Sequence, residues 1–94
     1  MDKKIVLWAT LRRLKSSGFY AWDEADIAFV KGVVAQADFE SCLQFVTDHY
    51  VSYVENNDER KEKAVKQYEE RCGDIEAWFA NYKPILEDDL KRLG

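Results

Sequence analysis

The chain has 94 residues, of which 47% are hydrophobic and 14% aromatic, with a single proline and four glycines. That composition predicts one domain, 1–94, with a modest core, and it excludes a disordered or low-complexity chain. The net charge of −4 is unevenly spread: residues 1–17 carry five bases against one acid, 18–57 one base against seven acids, and 58–94 eight against ten.

The longest apolar run, Ile5-Val6-Leu7-Trp8-Ala9, falls far short of the ~20 residues that cross a bilayer. The opening residues imitate a signal peptide, but no small-residue cleavage site follows and Arg12-Arg13 closes the apolar part. A cytoplasmic location is expected, and two cysteines on apolar helical stripes suit a reducing compartment.

Helical periodicity runs along most of the sequence and strand signals are nearly absent. Asp2 is the expected N-cap of a first helix over 3–16, closed by "KSSG" with Gly18 as its C-terminal glycine. Leu7, Leu11 and Leu14 share one face of it, while Ile5 and Trp8 point elsewhere. The helix therefore packs against two neighbours or leaves Ile5 and Trp8 exposed. Asp23, with Asp26 three residues on, starts a second helix to about Gln36. Ile27, Phe29, Val30, Val33 and Val34 cover nearly half its circumference, which predicts the most buried helix of the set. Gly32 lies off that face and is tolerable there if another backbone approaches closely.

Asp38 caps a third helix to about Glu55, with Phe39, Cys42, Leu43, Val46, Tyr50, Tyr53 and Val54 on one stripe. A merger of the second and third helices with a kink near 37 is the alternative. "ENND" marks a turn, and Asn57 or Asp58 caps a fourth helix. There Val65, Tyr68, Cys72, Ile75, Phe79 and Tyr82 recur at alternating spacings of three and four, a short seam suited to the inside of a bundle or to a dimer. Pro84 ends or kinks this helix, and a short final helix turns Leu86, Leu90 and Leu93 inward.

The predicted fold is therefore all-α: a compact antiparallel bundle of four main helices plus a short C-terminal one. Its expected core holds Leu11, Val30, Val34, Leu43, Val46, Phe79 and Leu90.

The sequence lacks a glycine-rich phosphate loop, a His-Glu-x-x-His element, a nucleophile elbow and a Cys-x-x-Cys pair. His49 is expected at the edge of the third helix's apolar stripe, and with Cys42 seven residues away the two lie about 10 Å apart in rise, beyond hydrogen-bond reach. No catalytic residue, metal ligand or cofactor is assigned. Five bases interleaved with Trp8 in the first helix suggest phosphate contacts, but the acidic middle opposes nucleic acid. The leucines of that helix belong to a core rather than to a membrane.

Protein recognition remains. "SGFYAWDEAD" sets Phe19, Tyr20 and Trp22 beside Asp23, Glu24 and Asp26, and aromatic residues and arginine dominate interface hot spots. Trp22, just before the helix cap, occupies a staple position that reaches Ile27. Phe19 folds over the end of the first helix, which leaves Tyr20 as the ring without assigned burial. The candidate partner-binding residues are Trp8, Arg12, Phe19, Tyr20, Trp22, Asp23, Glu24 and Asp26. The expected role is a small non-enzymatic module that inhibits or regulates a larger partner with a basic surface, such as a nucleic-acid-handling enzyme or a host defence complex. Small inhibitors that phages and mobile elements use against host machinery have this character. A dimerising scaffold using the 65–82 seam and an acidic mimic of nucleic acid are the alternatives, with a monomer favoured over a homodimer.

Overall fold

The computed structural model describes residues 2–93, and for residues 51–55 the backbone alone. Five helices follow one another: α1 (Lys3–Ser17), α2 (Glu24–Ala35), α3 (Phe39–Glu55), α4 (Asp58–Gln67) and α5 (Ile75–Leu93). A 3₁₀ turn at Phe19–Ala21 joins α1 to α2, and a π turn at Tyr68–Cys72 extends α4. No strand occurs among the described residues, so the fold is an all-α bundle. Its radius of gyration is 12.7 Å, that of a close-packed domain of this length, about 12–13 Å.

The helix starts follow side-chain chemistry. A helix opens with backbone N–H groups that have no partner within it, and a short acidic or amide side chain just ahead accepts from them. Asp2 accepts from Lys4 N at 2.9 Å, Asp38 from Ser41 N at 2.8 Å and Asn57 from Arg60 N at 2.9 Å. Those Ser41 bonds hold the Asp38 carboxyl below its ordinary pKa. Asp23 builds a full capping box: it accepts from Asp26 N at 2.8 Å, and its own N–H donates to Asp26 Oδ2 at 3.4 Å. Residues 36–38 separate α2 from α3, so the two helices do not merge.

The central helix is α1, not α2. Ile5, Val6, Leu7, Trp8, Thr10, Leu11 and Leu14 are all buried in α1, against Phe29, Val30 and Val33 in α2. Its two apolar faces therefore mean two sets of neighbours: α3 covers α1 most extensively, and α4 and the π turn lie against it too. Of the expected core, Leu11, Val30, Leu43, Val46 and Phe79 are buried, and Val34 and Leu90 pack partly buried against them. Leu93 is exposed rather than inward. Tyr53 and Val54 lie outside the residues whose side chains are described.

The expected fourth helix is broken in two, and Pro84 does not end it. Gly73 takes φ 68°, a left-handed conformation that glycine adopts without steric penalty. Asp74 then caps α5, accepting from Glu76 N at 3.0 Å and Ala77 N at 3.3 Å. Pro84 sits inside α5 with its ring exposed. Cys72, Ile75, Phe79 and Tyr82 all face the core of the chain, so that part of the seam is occupied internally.

Gly32 has its reason in a side chain, not a backbone. The Phe45 ring of α3 lies over it, and a β-carbon placed there would meet that ring, with Cε1 at 2.8 Å. Phe45 is in turn stacked on Phe29, with ring centroids 5.7 Å apart, and Phe29 meets Tyr50 edge-on at 4.5 Å. This aromatic row joins α2 to α3.

Candidate functional site

The end of α1 fixes the aromatic segment. Gly18, at φ 76°, turns the chain out of the helix while its N–H still donates to the Leu14 carbonyl at 3.2 Å. The same carbonyl accepts from Ser17 Oγ at 3.1 Å and from the Trp22 indole N–H at 3.3 Å. Ala21 N and Trp22 N close the 3₁₀ turn onto Gly18 O and Phe19 O. The loop is thereby bonded at both ends to one helix terminus.

Within it the three rings divide. Trp22 is only 7% exposed and belongs to the core; Phe19 is partly buried against that core; Tyr20 is 88% exposed. The Tyr20 ring rests on Phe19, with centroids 4.0 Å apart and planes inclined by 32°. Trp22 is thus corrected from a partner contact to a structural residue, because its indole both fills the core and satisfies the Leu14 carbonyl. Phe19 acts as the base on which Tyr20 is propped.

The neighbouring carboxylates divide as well. Asp26 is half-buried and pairs with Arg13 at 3.1 Å, tying α2 to α1. Asp23 is engaged as the helix cap. Glu24 is exposed and makes no ion pair among the described residues. The basic first helix and the acidic start of α2, separate in sequence, neutralise each other in part through Arg13 and Asp26. What remains outward is Tyr20, with Glu24 exposed four residues further along the chain.

Trp8 and Arg12 are not part of this surface. Trp8 is 2% exposed, packed edge-on against Tyr68 with centroids 6.0 Å apart. It is corrected to a core residue, since the second apolar face of α1 is covered by α4 and the π turn. Arg12 lies over the Trp8 ring at 4.8 Å from its centroid. Both residues border two adjoining depressions of about 350 and about 430 Å³, which none of residues 19–26 lines.

Comparison with models of known protein families, with curated proteins and with solved structures gives no match. Function has to be argued from the side chains.

The nucleophilic groups are in unreactive settings. Burial pushes the Cys42 thiol up to about 11, with Lys83 opposing, and raises Cys72, with Asp74 adding to it. Neither is a thiolate at neutral pH, and the thiolate is the reactive form. His49 is exposed, not at the edge of the core. Its Nδ1 lies 2.8 Å from the Phe45 carbonyl oxygen, and its ring lies 4.3 Å from the Phe45 ring. Among the described residues no three histidines, cysteines or carboxylates gather around a point that could hold a metal ion. No helix of the described residues is long and apolar enough to cross a membrane.

The sequence reading noted the bases of the first helix around Trp8 but not that Lys63 and Arg71 join Arg12 around two depressions. Their charged walls come from α1, α4 and the π turn, so no local run announces them. The signal within α1, its bases interleaved with Trp8, was outweighed by the acidic middle of the chain.

Proposed function

We propose that the chain is a non-enzymatic binding module that docks onto a larger protein with a basic surface and restrains it. The partner class is a nucleic-acid-handling enzyme or a host defence complex, and the setting is cytoplasmic, where two unpaired thiols persist. One observation carries this reading: Tyr20 stands 88% exposed on a turn tied to the end of α1 by the Gly18 N–H at one end and the Trp22 indole at the other. An exposed aromatic ring on a rigid support loses little conformational entropy on binding, and such anchors are where interface energy concentrates. Exposed Glu24 supplies charge that speeds and orients an encounter with a basic surface. The acidic-mimic reading is the weaker one, because a mimic needs a surface of one sign and the Arg12 region interrupts it. The dimerising reading loses much of its surface to the core, since Ile75 and Phe79 are buried.

The test uses Tyr20→Ala combined with Glu24→Lys. Asp26 is left alone, because changing it would break the cap and the Arg13 pair and so confound binding with stability. With the partner recovered by affinity capture, the double variant, confirmed helical by circular dichroism, is expected to lose about 30-fold or more in affinity, as for one true anchor. The residual binding should depend less on salt. Affinity within about twofold of the parent chain would remove the binding site from this surface. A stable dimer that dissociates on Val65→Glu would replace the proposal with the scaffold reading.

A further inference from the structure

The two depressions around Arg12 form one basic basin in an acidic protein. Arg12 and Ser16 of α1 border both. Lys63 of α4 closes one side, and Lys15, Arg71 of the π turn and Trp78 of α5 close the other. Among the described residues no aspartate or glutamate lines either depression. This absence is informative, because acids outnumber bases over the whole chain, 18 to 14.

Like charges brought together on a folded surface repel one another and cost stability unless an anion joins them; Arg13, which also lines the first depression, has Asp26 for this, whereas Arg12, Lys63 and Arg71 make no ion pair among the described residues. Guanidinium groups present several N–H donors in a planar fork that matches phosphate oxygens, and the Ser16 hydroxyl adds a neutral donor. Arg12 is also held in place, its guanidinium lying over the Trp8 ring at 4.8 Å. A cation that is already oriented gives up less freedom on binding.

We propose that this basin binds a compact ligand carrying two or more linked phosphate groups, of the nucleoside di- or triphosphate class. Two features favour a compact ligand over a nucleic acid strand. The cations bordering the depressions on either side of Arg12 come from α1, α4 and the π turn rather than from one helix. Residues 18–57, with seven acids to one base, would repel a strand that extended past the basin. The partly buried Trp78 ring at the margin offers a face for a base, while the shared recognition chemistry is the oligophosphate. This site is separate from the Tyr20 surface, and neither reading depends on the other.

The experiment is calorimetric titration of the full chain with a nucleoside triphosphate, with inorganic tripolyphosphate and with a single-stranded DNA ten-mer, in magnesium-free buffer at low and physiological salt. Saturable one-to-one binding of the nucleoside triphosphate is expected, weakening with salt. Arg12→Gln and Arg71→Gln should each reduce affinity by about tenfold or more, the value of a charge-assisted contact. Lys91→Gln, on the exposed end of α5, should leave it unchanged. Arg71 is exposed, so that variant reports on binding even if Arg12→Gln disturbs Trp8. Equal affinity for tripolyphosphate supports the proposal and assigns recognition to the phosphates alone; tighter binding of the nucleoside adds the Trp78 face. Absent binding, equal losses in all three variants, or tighter binding of the DNA ten-mer than of the nucleoside triphosphate would each overturn it.

Discussion

Thr10 carries a fully buried hydroxyl that has no hydrogen-bond partner among the described residues. In a helix a threonine hydroxyl commonly bonds back to the carbonyl four residues earlier, and here none of that compensation is made. Removing an unpaired buried hydroxyl while keeping the shape of the side chain recovers its desolvation penalty. Thr10→Val is accordingly expected to stabilise the fold by about 1 kcal/mol. In thermal unfolding of a chain this size that is a rise of about 4–8 °C in Tm. Thr10→Ser keeps the hydroxyl and loses a methyl group, so it should lower Tm. A fall in Tm for both variants would mean that the hydroxyl has a partner in solution.

Between elements, Gly32 and Phe45 set the approach of α2 to α3. On helix propensity alone Gly32→Ala should gain up to about 1 kcal/mol. The contact with Phe45 reverses that sign, because the ring is held by Phe29 and His49 and cannot simply swing aside. Gly32→Ala is expected to destabilise by about 1–2 kcal/mol, as overpacking does, and to become stabilising when Phe45 is already alanine. Urea unfolding of the four proteins of this cycle measures the reversal; additive effects would show that the ring is free to move. Gly32 also shows where sequence reasoning stops. Its position off the apolar face was legible, but a ring arriving from thirteen residues further on was not. The caps at Asp2, Asp23, Asp38 and Asn57 were legible because each is a local competition for N–H groups. The break at Gly73-Asp74 had an equally local signal, a helix-ending glycine followed by a capping aspartate. It was masked by a seam whose spacing runs on unbroken from Val65 to Tyr82.

Over the whole molecule, buried ionisable groups make alkaline stability the informative measurement. Burial moves Cys42 from 9.0 to about 11 and, helped by the Asp89 charge, Tyr82 from 10.0 to about 12. Above pH 9 the unfolded chain releases protons that the folded chain still holds. Stability from these groups is therefore complete below about pH 9 and falls as pH rises to about 12. Urea midpoints measured across this range should decline, with Cys42→Ala flattening the lower part and Tyr82→Phe the upper. A flat profile for the parent chain would show that both groups reach water in the folded state. At the same scale the candidate surfaces differ in legibility. The Tyr20 surface arises from a single segment and could be read from it, except for the division of labour among its three carboxylates. The Arg12 basin is assembled from residues some sixty positions apart, and only the fold brings them together.

The π turn at Tyr68–Cys72 has a consequence for how this chain tolerates changes of length. A π turn holds one residue more than an α turn, so it amounts to a single-residue insertion at the end of α4. Each residue of an α-helix advances the phase by about 100°. Deleting one residue among 68–72 would let the turn close to α geometry with the positions after the deletion kept nearly in phase, whereas inserting one into the turn would rotate them by about that angle around α4. After such an insertion Cys72, now buried, and Arg71, now at the edge of the basin, would lose their present directions together. Substitutions on the exposed flank of this turn and the loss of its one extra residue leave that phase intact; a further residue would change which side chains reach the core and which reach the cations of α1.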